Sequence, residues 1–136
     1  MSPTSADPEL QAQLARFLCV LSSGLMEQAL ITILENHTIR KSENRIAQYV
    51  SSQLSRIQNA KFEDILVTIG RFDPTWRDYL ETNTVAEVKS AIDSIVNNRN
   101  QIAHGGQVGI SLTTFSAYYR SLKRFIEDLE AFVDSH

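Results

Sequence analysis

The sequence predicts an all-α, single-domain bundle of about five to six helices, and three observations carry that expectation. Apolar residues recur every three or four positions along most of the chain, which is the spacing of one helical face, and no stretch alternates as a strand does. Glycine and proline number only five and three, and the prolines lie near the edges of predicted helices. Helix-starting signals, Asp-Pro or Ser and Thr before an apolar run, divide the pattern into separate segments. At 136 residues and 43% hydrophobic the chain can bury one real core. Residues 1–7 are expected to form a flexible N-terminal segment, and 8–136 the helical domain.

The first helix starts at Asp7-Pro8, with Asp as N-cap and Pro at the first helical position, and runs to about Asn36. Leu14, Phe17, Leu18, Leu21 and Leu25 form one apolar face; Val20, Gly24, Glu27, Ile31 and Leu34 form another. Being apolar on two faces, this helix is expected at the centre of the bundle. His37 to Lys41 reads as a basic connector. Ser42 can cap a second helix over about 43–58, with Ile46, Val50, Leu54 and Ile57 turned inward. A third runs from Lys61 to about Gly70 on Phe62, Ile65, Leu66 and Ile69. Asp73-Pro74 repeats the cap-plus-proline signal and opens a short helix through Trp76, Tyr79 and Leu80. Thr84 and Glu87 have the spacing of a capping box, which predicts a helix over 84–103. The last helix begins near Ser111 or Thr113 and reaches about Val133, with Phe115, Tyr118, Tyr119, Leu122, Phe125, Ile126, Leu129, Phe132 and Val133 as its apolar positions. Short connectors between such long helices predict a helical bundle.

Composition bounds the function. The net charge of −3 argues against broad binding of duplex nucleic acid, and no basic recognition helix supports a helix-turn-helix DNA reader. Nine of the thirteen basic residues are arginine, the type suited to phosphate, so a local site stays open. Cys19 is the only cysteine, so no intramolecular disulfide can form, and its apolar neighbours predict a buried, inert thiol. No zinc-ligand spacing occurs. The opening residues lack a basic region before an apolar run, and polar residues interrupt the apolar segment 17–34. A cytoplasmic protein with no membrane partner is therefore the expectation.

The chemistry concentrates in Asn98-Arg99-Asn100-Gln101-Ile102-Ala103-His104-Gly105. Val85, Val88, Ile92, Ile95, Arg99 and Ile102 make one stripe of the 84–103 helix, so Arg99 occupies a stripe position. A charge there either snorkels at the helix end, pairs with a core carboxylate, or lines a cleft. His104 lies five residues on, well off the Arg99 face of a continuing helix. The two converge only if the helix ends between them or if two chains meet, and Gly105-Gly106 supplies the break. An arginine offers a permanent charge and a planar fork; a histidine gives and takes protons near neutral pH. For a lone histidine at a helix end, the bland explanation is a favourable charge at the negative pole of the dipole.

Arg99-Asn100-Gln101-Ile102-Ala103-His104 resembles the R-x4–6-H signature of the HEPN superfamily, with Asn100 at the favoured polar position, and the chain is most similar to the RiboL-PSP-HEPN-type branch. The resemblance covers the architecture of the whole chain but only six residues of motif. It implies a small α-helical bundle and, in many members, a metal-independent RNase of toxin–antitoxin, phage-defence or CRISPR systems. It also implies a homodimer whose two motifs share one cleft, with helix 84–103, and secondarily the first helix, as the expected interface, an RNA substrate, and an antitoxin or other defence partner. No cofactor and no metal are expected. In that reading His104 is the general base or acid, Arg99 stabilises charge on the phosphate, and Asn100 positions either. The competing reading is a non-catalytic HEPN-like module for binding RNA or nucleotides, or for dimerisation. Glu27 is a candidate supporting residue, as a partner of Arg99 or as a carboxylate reaching solvent at the bundle edge. Asp93 is expected at the surface. Arg120, Lys123 and Arg124 form a basic patch on the last helix, either solvated or an RNA-backbone track. His37 and His136 have no supporting pattern.

Overall fold

A computed structural model describes residues 7–57, 60–103, 105 and 110–136, and among these there are six helices and no strand. They are α1 (Pro8–Lys41), α2 (Asn44–Leu54), α3 (Phe62–Phe72), α4 (Pro74–Asn83), α5 (Ala86–Ala103) and α6 (Leu112–Asp134). The expected segment 1–7 lies outside the described residues except for Asp7. Asp7 is the N-cap of α1, and its side chain accepts the Glu9 N–H at 3.0 Å.

α1 packs along both α5 and α6, and these two pack on each other. Ala15 and Cys19 of α1 meet Ile102 at the end of α5 and Phe115 at the start of α6. α5 therefore runs antiparallel to α1, and α6 runs parallel to it. At the far end Arg40 reaches Asp134 at 3.3 Å, which agrees with that direction. α3 and α4 form a hairpin against this frame, and α2 lies on the second half of α1. The main core joins Met26, Leu30 and Leu34 to Ile65, Ile69, Ile92, Ile95, Leu122, Leu129 and Val133.

Several boundaries and faces differ from the sequence expectation. α1 continues through the expected connector to Lys41, because nothing between Asn36 and Lys41 breaks a helix. Buried Thr38 bonds the Leu34 carbonyl through its hydroxyl at 2.8 Å, and Ser42 closes α1 instead of starting α2. Thr84 caps the end of α4, its N–H bonding the Leu80 carbonyl, and α5 begins at Ala86. α2 turns Ala47 and Leu54 inward and leaves Ile46 exposed.

The largest departure is in α1. The face that is buried carries Ala15, Cys19, Ser22, Ser23, Met26 and Leu30, small side chains in its first half. Small residues let neighbouring helices approach closely, so the large apolar residues Leu10, Leu14, Phe17, Leu21 and Leu25 are turned outward. By length and composition α1 is apolar enough to cross a membrane, but its small-residue face is packed against α5 and α6.

The starts of the other helices follow the predicted chemistry. Asp73 accepts the Thr75 N–H at 2.9 Å at the start of α4, and Ser111 accepts the Thr114 N–H at 3.0 Å at the start of α6. The bonds from Thr75 hold the Asp73 carboxyl below its ordinary pKa of 3.8. α3 is capped from a distance: Asp93 on α5 accepts the Phe62 N–H at 2.8 Å. Asp93 thus joins two helices and is not the surface residue its sequence position suggested.

Candidate functional site

The last turns of α5 carry Arg99 and Asn100, both half-buried. Ile92 and Ile95, below them on the same helix, are fully buried in the chain's own core. The stripe that ends in Arg99 is thus filled by α1 and α6 within one chain, and its lower part is not free for a second molecule. Arg99 sits where that stripe rises out of the core. Asn98 beside it bonds the Ser94 carbonyl at 2.7 Å.

α5 is described as far as Ala103. Gly105 follows with φ of +77°, and its N–H bonds the Ile102 carbonyl at 3.0 Å. That left-handed conformation suits glycine and strains other residues. The chain is thus out of helical conformation at Gly105. His104 itself lies outside the described residues, as do Gly106 to Gly109. The chain re-enters the described structure at buried Ile110, directly before the Ser111 cap of α6.

Beneath this end of the bundle is a small apolar cluster. Ala15, Cys19, Ile110 and Phe115 form its centre, and Leu18, Ile102, Leu112, Tyr118 and Tyr119 pack around it. It anchors the end of α5 and the start of α6 on either side of the motif. Cys19 is fully buried there, and burial raises its thiol to about 11, so it is protonated and unreactive at neutral pH.

Glu27 lies half-buried on α1, which packs along α5. Glu27 and Arg99 each hold an interaction, as does Gln11 on the first turns of α1. None of the three is an idle surface group. Among the described residues, no cluster of three or more His, Cys, Asp or Glu side chains is arranged to hold a metal.

The outward face of α1 adjoins the same end of the bundle. Leu10, Leu14, Phe17, Leu21 and Leu25 fall within an arc of about 80° at the helical 100° per residue. Phe17 is 59% exposed and Leu21 52%. A shallow groove of about 340 Å³ beside them is lined by Leu18, Leu21, Leu25, Phe115 and Tyr119. The pattern of the first helix predicted cover on both faces. Its spacing did reveal the stripe, but spacing alone does not tell a core face from a surface one.

The other histidines lie at the opposite end of the molecule, near the C-terminus of α1. The His37 ring meets Trp76 edge-on at 4.8 Å, and its Nδ1 is buried with no hydrogen-bond partner among the described residues. Burial lowers its pKa below the ordinary 6.5, and the nearby charges of Arg40 and Lys41 add to that. His136 bonds the Phe132 carbonyl through its ring at 2.8 Å. The length of α1 separates both from Arg99.

Among comparisons with known proteins, the family described as RiboL-PSP-HEPN matches residues 1–135, practically the whole chain. No curated protein and no solved structure matches.

Proposed function

The chain belongs to the RiboL-PSP-HEPN family, and on that basis we propose that it is a metal-independent endoribonuclease acting in a toxin–antitoxin or phage-defence setting. One observation carries the reading: Arg99 and Asn100 stand half-buried at the end of an apolar stripe, and Gly105, the residue after His104, has the left-handed φ of +77°. On this reading a permanent cation, an amide and a titratable ring gather around a helix terminus instead of spreading over three faces of one helix.

The reaction follows from those groups. A general base takes the proton of an RNA 2′-hydroxyl, and the 2′-oxygen forms a bond to the adjacent phosphorus. The bond from phosphorus to the 5′-oxygen breaks, and a general acid returns a proton to that oxygen. His104 fills one of these roles and Arg99 stabilises the charge that builds on the phosphate. Asn100 orients the ring or the phosphate. The products are a 2′,3′-cyclic phosphate and a 5′-hydroxyl. The nucleophile belongs to the substrate, so the step requires no metal-activated water.

A second copy of the chain completes this proposal. Two chains meeting through the outward apolar face of α1 would bury Phe17 and Leu21 and bring two Arg99–His104 motifs toward one cleft, supplying a base and an acid together. Large contiguous apolar patches are uncommon on free monomers, which supports a partner for this face. On this proposal the contact is through α1 in place of the expected helix 84–103, whose Ile92 and Ile95 are core.

The test is cleavage of RNA in EDTA by the purified protein beside His104→Ala. Cyclic-phosphate ends made by the first and not by the second support the proposal. If neither cuts any RNA, the protein is a binding or dimerisation module with the same fold.

A further inference from the structure

The molecule has a second feature that the motif does not use. A groove of about 810 Å³ runs between α6 and the α4–α5 connection. Its α6 wall begins at Ala117 and ends at Ser135, a distance of about 27 Å along a helix. The groove starts two residues beyond Phe115, which belongs to the cluster under the Arg99 end, and leads away from it. Ala117 and Phe115 lie on opposite faces of α6, and the facing wall, Tyr79 to Val88, ends at the start of α5, so the groove is a surface separate from Arg99.

We propose that this groove binds single-stranded RNA away from the Arg99 motif; the inference rests on the endoribonuclease reading for its biological role. Three features of the lining favour that occupant. Arg120 and Arg124 stand one turn apart on the groove wall, about 6 Å between their Cβ atoms, and both are exposed. Among the described residues no carboxylate lies within 4 Å of Arg120, while Arg124 keeps a loose contact with Asp128 at 3.9 Å. At the far end Tyr79 and Phe132 are stacked, with centroids 4.1 Å apart and planes 7° from parallel. Tyr79 is 45% exposed, so the pair offers a π surface that every base can meet. Between them Asn83, Thr84 and Ser121 line the groove with groups that bond to sugar hydroxyls and base edges.

Asp128 and Glu87 also line the groove, so it is not uniformly basic. Charge alone does not carry the affinity; stacking on the aromatic pair supplies the rest. This combination discriminates against duplex, whose bases are already stacked and whose charge density the acidic chain as a whole repels. The span accommodates about four nucleotides of extended strand.

Binding is read by fluorescence anisotropy on a 2′-O-methyl oligouridine of about twelve nucleotides, which cannot be cut and so reports binding independently of catalysis. The double variant Arg120→Glu/Arg124→Glu is expected to bind about a hundredfold more weakly, and Tyr79→Ala about tenfold. Replacing both arginines by alanine should lower the salt slope by about 1.4, or about 0.7 for each phosphate no longer neutralised. Lys123→Glu is the control: the residue is exposed on the same helix but does not line the groove. Selective loss in the groove variants, with thermal unfolding unchanged, supports the proposal even if the protein cuts nothing. Equal loss in Lys123→Glu, unchanged binding in the groove variants, or no binding by the parent protein overturns it. Groove variants that bind RNA normally but lose affinity for an acidic peptide would reassign the groove to a protein partner.

Discussion

Arg99 differs from Arg124 in what surrounds it. It is half-buried on a core-facing stripe and held in an interaction, whereas Arg124 is an exposed residue with a loose ion pair. Arg99→Lys should therefore fold but cleave RNA at least about tenfold more slowly, because a point charge does not reproduce a planar fork. Steady-state cleavage, with circular dichroism as the folding control, checks this. Asp93 is read differently in sequence and in structure. Its carboxylate serves the N-terminus of α3, so Asp93→Ala should cost about 1 kcal/mol, as for the removal of other caps, and Asp93→Asn less. Urea unfolding of the two variants tests the assignment; equal stability of Asp93→Ala and parent would contradict it. His37 makes a pH prediction. Its folded pKa is lowered below 6.5, so the unfolded chain binds more protons in the window just under that value. The contribution of His37 is present above 6.5 and is lost as pH falls. A thermal melt series should show stability declining below 6.5, and His37→Gln should flatten the decline.

Among the helices, α1 and α5 exchange the roles that their patterns suggest. Both carry apolar stripes of similar length. The stripe of α5 is core, and the leucine-rich stripe of α1 is surface, because the small residues Ala15, Cys19, Ser22 and Ser23 on its opposite side let α5 and α6 pack close. Two substitutions separate the consequences. Phe17→Glu places a charge on an exposed position and should leave the protomer folded while weakening self-association by about tenfold or more, as the removal of an interface anchor does. Ile95→Asp buries an unpaired carboxylate at a fully enclosed position and should unfold the chain or cost more than about 3 kcal/mol. Light scattering across protein concentration, with denaturant midpoints alongside, distinguishes the two; a concentration-independent monomer for the parent protein removes the dimer. The α5 terminus gives a milder test. Gly105→Ala forces a side chain onto φ of +77° and should cost about 1 kcal/mol and displace the motif.

Across the molecule as a whole, the frame of α1, α5 and α6 separates two regions of different chemistry. One end gathers Arg99, the helix break and the outward face of α1. The long groove runs along α6 beside the α4–α5 connection and ends at the stacked pair of Tyr79 and Phe132. If two chains form one cleft, cleavage per protomer should fall on dilution through the dissociation range, and Phe17→Glu should lose activity in parallel with association although Arg99 and His104 are intact. A single-turnover assay at a series of enzyme concentrations measures this; activity that stays constant per protomer while the dimer dissociates assigns the site to one chain.

The class of fold, the number of helices and most of their starts were all legible in the chain. These depend on local chemistry: proline and aspartate at Pro8 and Pro74, serine at Ser111, glycine at Gly105, and apolar spacing between them. The enclosure of Cys19 was legible too, since its neighbours on every side are apolar. Which apolar stripe became core was not. Spacing identifies a face but not its partner, and the choice in α1 turned on how closely helices approach over small side chains. The role of Asp93 needed packing as well, because the helix it caps lies 31 residues away in sequence. The groove against α6 also came from packing alone, since its walls belong to separate elements that a local reading treats one at a time.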